Sequence, residues 1–306
     1  MRKVSRRRFI RSGMIISGFT MFGASFVPRW IRAMGVPGLS QIISISGDNP
    51  MTSVPRLVDG LGGISKFVRQ GASVGILVNS PWKNPGTATN PSVALAVVRL
   101  CLDAGAREIT CFKPVPEGYW QKSEYYEGMK EAVSAIKYGD ERITVEIPKG
   151  IHLKSAQLYS EFMDVDVFIS IPVAKHHDGT NFSCNLKGLM GVSTGDTNRH
   201  MHSPDGEYTY EKQAYLSQCI ADLNLVRRPD LCVVDAIECC LENGPRGPGA
   251  TVKPNRILAG TDPVALDAYA AQLIGFDIST IPSIEMAKDL GLGESRSEMW
   301  QVQEIG

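Results

Sequence analysis

No pair among the seven cysteines stands in C-x-x-C spacing, which removes the ferredoxin-type cluster motif and any finger-type zinc site. Cys101, Cys111 and Cys232 fall within apolar helix or strand patterns, where a cysteine is ordinarily a small core residue. Cys239 and Cys240 are adjacent, and neighbours on a strand face opposite ways, so a bond between them would be strained. Cysteine therefore defines no site. Internal repeats of fixed period and low-complexity tracts are also missing. So is any uncharged apolar run of the ~20 residues that a membrane-spanning helix needs. The first 35 residues contain no acid at all.

What that segment holds instead is eight cations and the run Ser5-Arg-Arg-Arg-Phe-Ile10. The run is close to the twin-arginine export pattern, with Arg6 and Arg7 as the pair. Met14 to Val27 follows, apolar and uncharged, with the length of a signal-peptide h-region. Residues 1–35 are thus read as a twin-arginine signal. The twin-arginine translocase is then a transient partner, and the protein is periplasmic or held at the membrane by an uncleaved signal. A basic amphipathic helix is the alternative. Without this segment the 32 basic residues fall to 24 against 32 acidic ones, a net charge of −8 for residues 36–306. An acidic body repels phosphate backbones, so nucleic acid is not an expected partner.

Residues 36–306 show apolar runs separated by helical patterns, the signature of a mainly parallel, doubly wound α/β sheet. Strands are expected at Gln41–Ser46, Val74–Val78, Ile109–Phe112, Ile143–Ile147, Val165–Ile171, Leu231–Val234 and Ile257–Ala259. Asn90 with Pro91 reads as a helix start and Gly105 as its stop. Tyr119–Ile136 reads as a helix or lid, Val192–Tyr210 as a long polar loop, and Ile281–Gly306 as a short helix and tail. The length allows one large domain or two lobes, 36–150 and 151–306, with a cleft at the C-terminal ends of the strands.

The chemistry concentrates just past one strand. Asp164 to Pro172 is a buried-strand pattern, and Pro172 ends it because proline offers no ladder donor. Lys175, His176, His177 and Asp178 follow at once, then Gly179, Asn185, Lys187, Gly188 and Gly191. Ligands of open α/β sheets bind beyond the carboxyl ends of strands, which is where this cluster stands. His177, Lys187 and Lys175 are the candidate catalytic residues. Histidine moves protons near neutral pH, and lysine holds anions or cofactors. Asn185, Asp235, Thr261 and Asp262, at the ends of neighbouring strands, are candidate ligand-binding residues. His200-x-His202 is a candidate metal pair. The alternative is a polar, glycine-rich loop whose histidines are merely solvated.

Three stretches, Asn79 to Gly105, Pro172 to Gly191 and Asp235 to Gly275, resemble the domain-of-unknown-function family 362. The Lys175-x-His177 pair, Lys187 and the Thr261-Asp-Pro263 turn carry most of the likeness. Asn79-Ser-Pro81 stands where Lys-Pro-Asn is usual, Gly188 where Asn is usual, and the ferredoxin module found in many members is missing. The order His177, Lys187, His200, His202 is also distantly similar to nickel-pincer lactate racemases. That similarity implies a lysine carrying a cofactor and a histidine holding the metal.

These readings converge on an exported enzyme or cofactor-binding protein acting on a small anionic ligand. The alternatives are a non-catalytic metal or anion carrier, and a subunit serving a separate exported redox partner. No particular cofactor is specified; a metal ion or metal cofactor is compatible with the histidines.

Overall fold

The computed structural model describes residues 38–203 and 212–306; the expected signal segment lies outside them. In chain order the strands are β1 (Ser40–Ser46), β2 (Ser73–Val78), β3 (Glu108–Cys111), β4 (Lys137–Tyr138), β5 (Arg142–Glu146), β6 (Ser155–Tyr159), β7 (Val167–Ile171), β8 (Lys175–His177), β9 (Asn181–Ser183), β10 (Leu231–Ala236), β11 (Cys239–Cys240), β12 (Thr251–Val252), β13 (Arg256–Gly260) and β14 (Trp300–Ile305). The α-helices are α1 (Pro50–Asp59), α2 (Pro91–Asp103), α3 (Lys130–Ser134), α4 (Glu161–Asp164), α5 (Asn185–Gly188), α6 (Gly195–His202), α7 (Gln213–Asn224), α8 (Pro263–Leu273) and α9 (Pro282–Asp289).

One eight-stranded sheet runs in the order β14-β1-β13-β10-β7-β2-β3-β4. Every neighbouring pair in it is parallel except those made by β13, which lies antiparallel to both β1 and β10. The expected mainly parallel α/β sheet is what forms. Strand alternation gives it two cores. Val74, Ile76 and Val78 of β2 face one side, where α1 and α2 pack, while Leu77 faces the other, under α7, α8 and α9. Asn90 caps α2 by accepting from the Ser92 amide, with Pro91 opening the first turn. Gly75 lies against the Phe112 ring, where a Cβ would come within 2.0 Å. Its missing side chain admits the edge-on cluster Phe112, Phe162 and Phe168, whose ring centres are 5.2–5.6 Å apart.

Strands from both sides of residue 150 interleave in this sheet, with β7, β10 and β13 between β1 and β2. A division into lobes at 150 is therefore not how the chain is built, because backbone pairing crosses the supposed boundary. Four local expectations also change. Tyr119–Ile136 breaks into two short 3-10 turns and α3. The strand expected at Ile143–Ile147 forms, as β5, but pairs only with β6 in a separate hairpin. The polar stretch after Val192 contains helix α6, capped by Thr194. The supposed tail forms β14, the edge strand beside β1. No helix among the described residues is long and apolar enough to cross a membrane.

Candidate functional site

The strand order reverses between β2 and β7: β3 and β4 continue to one side of β2, and β7 and β10 to the other. At such a switch point the loops leaving adjacent parallel strands diverge and open a crevice. A cavity of about 570 Å³ lies there. It is lined by Asn79 and Trp82 after β2, Lys113 after β3, Lys175 and His177 after β7, and Arg246 after β10. Lys187 and His202, from α5 and α6, complete the wall.

Lys175 is 1% exposed. Its ammonium donates to the Thr87 carbonyl, to Asn79 Oδ1 at 3.4 Å and to the Pro245 carbonyl at 3.5 Å, all neutral oxygens. Burial first, and the Lys187 charge next, lower its pKa to about 7. Lys187 stands at the end of the four-residue helix α5, with the Met190 thioether 3.6 Å from its amine and no carboxylate of the described residues against it. Burial lowers its pKa to about 8. Against these two amines and the exposed Lys113 and Arg246, the cavity wall carries one carboxylate among the described residues, Asp178, which turns largely to solvent. A cationic pocket in an acidic body focuses field on small anions.

His177 is buried, and its Nδ1 accepts from the Gly179 amide at 3.0 Å. Burial, then Lys187, His202 and Lys175, hold its pKa far below the ordinary histidine range. The ring is neutral at physiological pH. Its neighbour His176 points the other way, its Nδ1 accepting from the Gly244 amide at 3.0 Å. That amide supplies the proton, so Asp178, 3.6 Å from the same nitrogen, is not an ion-pair partner of the ring. Gly244 approaches so closely that a Cβ would come within 1.9 Å of the His176 carbonyl. Glycine is required for this contact.

Not every expected residue reaches the cavity. Asn185 is buried beneath it, bonded through its side-chain amide to Asp267 at 2.9 Å. Asp235 is 2% exposed, and its carboxylate accepts from the Asn90 and Ile237 amides at 2.6 and 3.0 Å. It ties the loop after β2 to the loop after β10 and does not line the cavity. Thr261 and Asp262 stand at the opposite edge of the sheet. Because β13 is antiparallel to β10, its Gly260 end pairs beside Cys232, at the start of β10. There Asp262 caps α8 through the Val264 and Ala265 amides at 2.9 and 3.0 Å.

His200 and His202, two residues apart on α6, project about 200° apart around the helix. His202 faces His177 across 6.4 Å between ring centres. His200 lines a separate hollow with His152, and its Nε2 lies 3.3 Å from the hydroxyl of Tyr215, which stacks on His152. The two do not converge as a chelating pair. No group of three or more His, Cys, Asp or Glu side chains with metal-ligand geometry occurs among the described residues.

Several contributors were missed in the sequence. Asp267 of α8 accepts from the Asn185 and Leu186 amides at 2.8 and 2.9 Å and so holds α5 in place under Lys187. Asn224 of α7 braces the same turn through the Leu186 carbonyl at 3.0 Å. Trp82 and Arg246 stack at the rim, 5.0 Å from guanidinium to ring centre. Asp267 carried one local sign, its place on the buried face of the helix opened by Pro263. The others carried none.

Fold and cavity together define an open α/β protein with a cationic crevice at its topological switch point. The chain belongs to the family described as Domain of unknown function (DUF362), matched over residues 74–272, a span that includes every cavity residue named above. It is similar to the thylakoid-associated protein sll1697 of Synechocystis sp., with 25% identity over 256 residues, 81% of this chain and 77% of that protein. Among solved structures it is similar, at 12% identity and a TM-score of 0.40, to a Thermotoga maritima protein determined as structural genomics target VR152. The alignment covers 76% of this chain, which spans 58% of that one.

Proposed function

We propose that this protein binds a small anionic molecule in the switch-point cavity and acts on it through the residues of the His/Lys wall. One observation carries the reading. Two amines, Lys175 and Lys187, line a single cavity of about 570 Å³, and no carboxylate among the described residues is bonded to either. A buried cation without a counter-charge is costly, and a bound anion repays that cost. The volume suits a small metabolite.

The pH dependence follows from the lysines. Each amine is charged below its depressed pKa, so anion affinity is greatest below about 7 and falls as Lys175, then Lys187 at about 8, lose their protons. Bound anion pulls both values upward. Calorimetric titration with oxalate, citrate and inorganic phosphate at pH 6 and pH 9 tests this. Binding that is tighter at pH 6 supports the reading. Absence of binding across the panel, or equal affinity at both values, overturns it.

The location proposed is outside the cytoplasmic membrane, reached by the twin-arginine route. The run Ser5-Arg-Arg-Arg-Phe-Ile10 supports it, as does the thylakoid association in the name of the cyanobacterial relative. The double substitution Arg6→Lys, Arg7→Lys is expected to retain the protein in the cytoplasm, because it keeps the charge and changes only the receptor-read pattern. Fractionation showing normal export of the double variant refutes this location.

A further inference from the structure

The two edges of the eight-stranded sheet are built differently. β4, at one end, has only Lys137 and Tyr138, and its lysine is bridged to Glu108 of β3. A very short strand carrying a lysine is a guarded edge, a poor template for another strand. β14, at the other end, has six residues, Trp300–Ile305, and pairs with β1 without a break from Ser40↔Trp300 to Ile45↔Ile305. It contains no proline, no lysine or arginine and no bulge. Among the described residues no strand pairs with its outer side, and Gln301 to Glu304 are all exposed. Val302, 40% exposed, and Leu39 beside Ser40, 55% exposed, leave apolar surface at this edge. Such an edge offers its backbone N–H and C=O groups to an extended chain.

We propose that this chain is β14 of a second copy, paired antiparallel about a twofold axis through Val302, so that one sheet runs through both protomers. A twofold contact of this kind is closed, because each copy uses up the open edge of the other. The sequence of the strand selects the occupant. Side chains alternate, so Trp300, Val302 and Glu304 share one face and Gln301, Gln303 and Ile305 the other. Residues directly opposed across an antiparallel pair lie on the same face, and the axis must therefore pass through a residue and not between two.

Three central positions are open to it, and they are not equivalent. Centring on Gln301 sets Glu298 opposite Glu304, two like charges. Centring on Gln303 sets Val302 opposite Glu304 and Gln301 opposite Ile305, apolar against polar. Centring on Val302 sets Val302 opposite itself, Gln301 opposite Gln303 and Ile305 opposite Met299. Apolar then meets apolar and amide meets amide, whose donor and acceptor are complementary. Glu304, the only charge on the strand, faces Trp300 and keeps Arg256 of its own protomer, 3.2 Å away. The seam leaves the crevice open, because β1, β13 and β10 lie between β14 and β7. A two-strand seam is smaller than the ~1,000 Å² of a durable interface, so dimer is expected to grow with concentration.

Cysteine cross-linking of the full chain tests both the contact and its register. All seven native cysteines are buried, so a cysteine introduced on β14 is the accessible thiol. Opposed residues stand ~4.5–5.5 Å apart between Cα atoms, within disulfide range. Val302→Cys is therefore expected to give a disulfide-linked dimer on mild oxidation. Gln301→Cys alone and Gln303→Cys alone place their thiols on diagonal positions ~7–8 Å apart and should not cross-link, whereas a mixture of these two variants should. Val302→Lys sets like charges against each other at the axis. Sedimentation over a concentration series is expected to show dimer for the parent and monomer for Val302→Lys, with the thermal midpoint unchanged because Val302 is exposed. A parent that stays monomeric, a Val302→Lys variant that still dimerises, or Gln301→Cys cross-linking as well as Val302→Cys overturns the proposal.

Discussion

Lys187→Met is expected to weaken anion binding at pH 6 by about 10- to 100-fold, the range for losing one charged hydrogen bond. The thermal midpoint should stay the same or rise. The two expectations have one cause. In the free protein the Lys187 amine is partly buried beside a thioether, with no carboxylate of the described residues to balance it, and its depressed pKa of about 8 records the burial. Methionine has similar length and removes the charge, so the fold loses nothing it needed. The ligand loses its partner. A second shift is expected in the same variant. Lys187 is the foremost charge, after burial, holding His177 and His202 below their ordinary pKa, so both rings should titrate at higher pH without it. Calorimetry measures the affinity and proton NMR of the imidazole C–H signals measures the titration. Unchanged affinity would remove Lys187 from the site.

Asp267→Ala is expected to cost about 3–5 kcal/mol of stability, the range for breaking a buried charged network. The side chain is 2% exposed and accepts three hydrogen bonds, from the Asn185 and Leu186 amides and from the Asn185 side chain. Those amides open a helix of only four residues, too short to hold itself together. Removing the carboxylate strands buried donors and releases the turn that carries Lys187. Anion binding should therefore fall with stability, although Asp267 does not line the cavity. Asp267→Asn keeps the shape and one acceptor oxygen and should lose less of both. Denaturant unfolding together with the oxalate titration checks the pair. Full stability in Asp267→Ala would mean that α5 is held by something other than this carboxylate.

The contrast between Lys187 and Asp267 shows where the sequence was readable. Lys175, His177 and Lys187 could be placed because they follow directly on an apolar run ended by Pro172, and a strand end fixes where the next few side chains go. Asp267 lies 80 residues beyond Lys187, and its contact with α5 depends on how α8 crosses the sheet face. His200 and His202 were read as a pair because the polar stretch around them suggested a loop. Thr194 capping its first turn makes that stretch a helix, and helical spacing sends the two rings to different hollows. Asp235 was placed correctly at the end of its strand. Its role there is to bind backbone amides, which a strand-end position alone does not distinguish from binding a ligand.

The sequence by itself determined that the described body is a mainly parallel α/β protein and that a cluster of lysines and histidines follows the strand ending before Pro172. Those properties are local: apolar runs, helix starts at Asn90-Pro91 and Asp262-Pro263, and polar residues at fixed distance from a strand end. The direction of β13 was decided only in three dimensions. Its apolar run Ile257 to Ala259 is buried, and a buried strand carries the same pattern whether it runs with or against its neighbours. Reversing it carries Thr261 and Asp262 to the far edge of the sheet. The tautomer of His177 was likewise invisible, because it is set by the Gly179 N–H, whose placement exists only once the loop has folded.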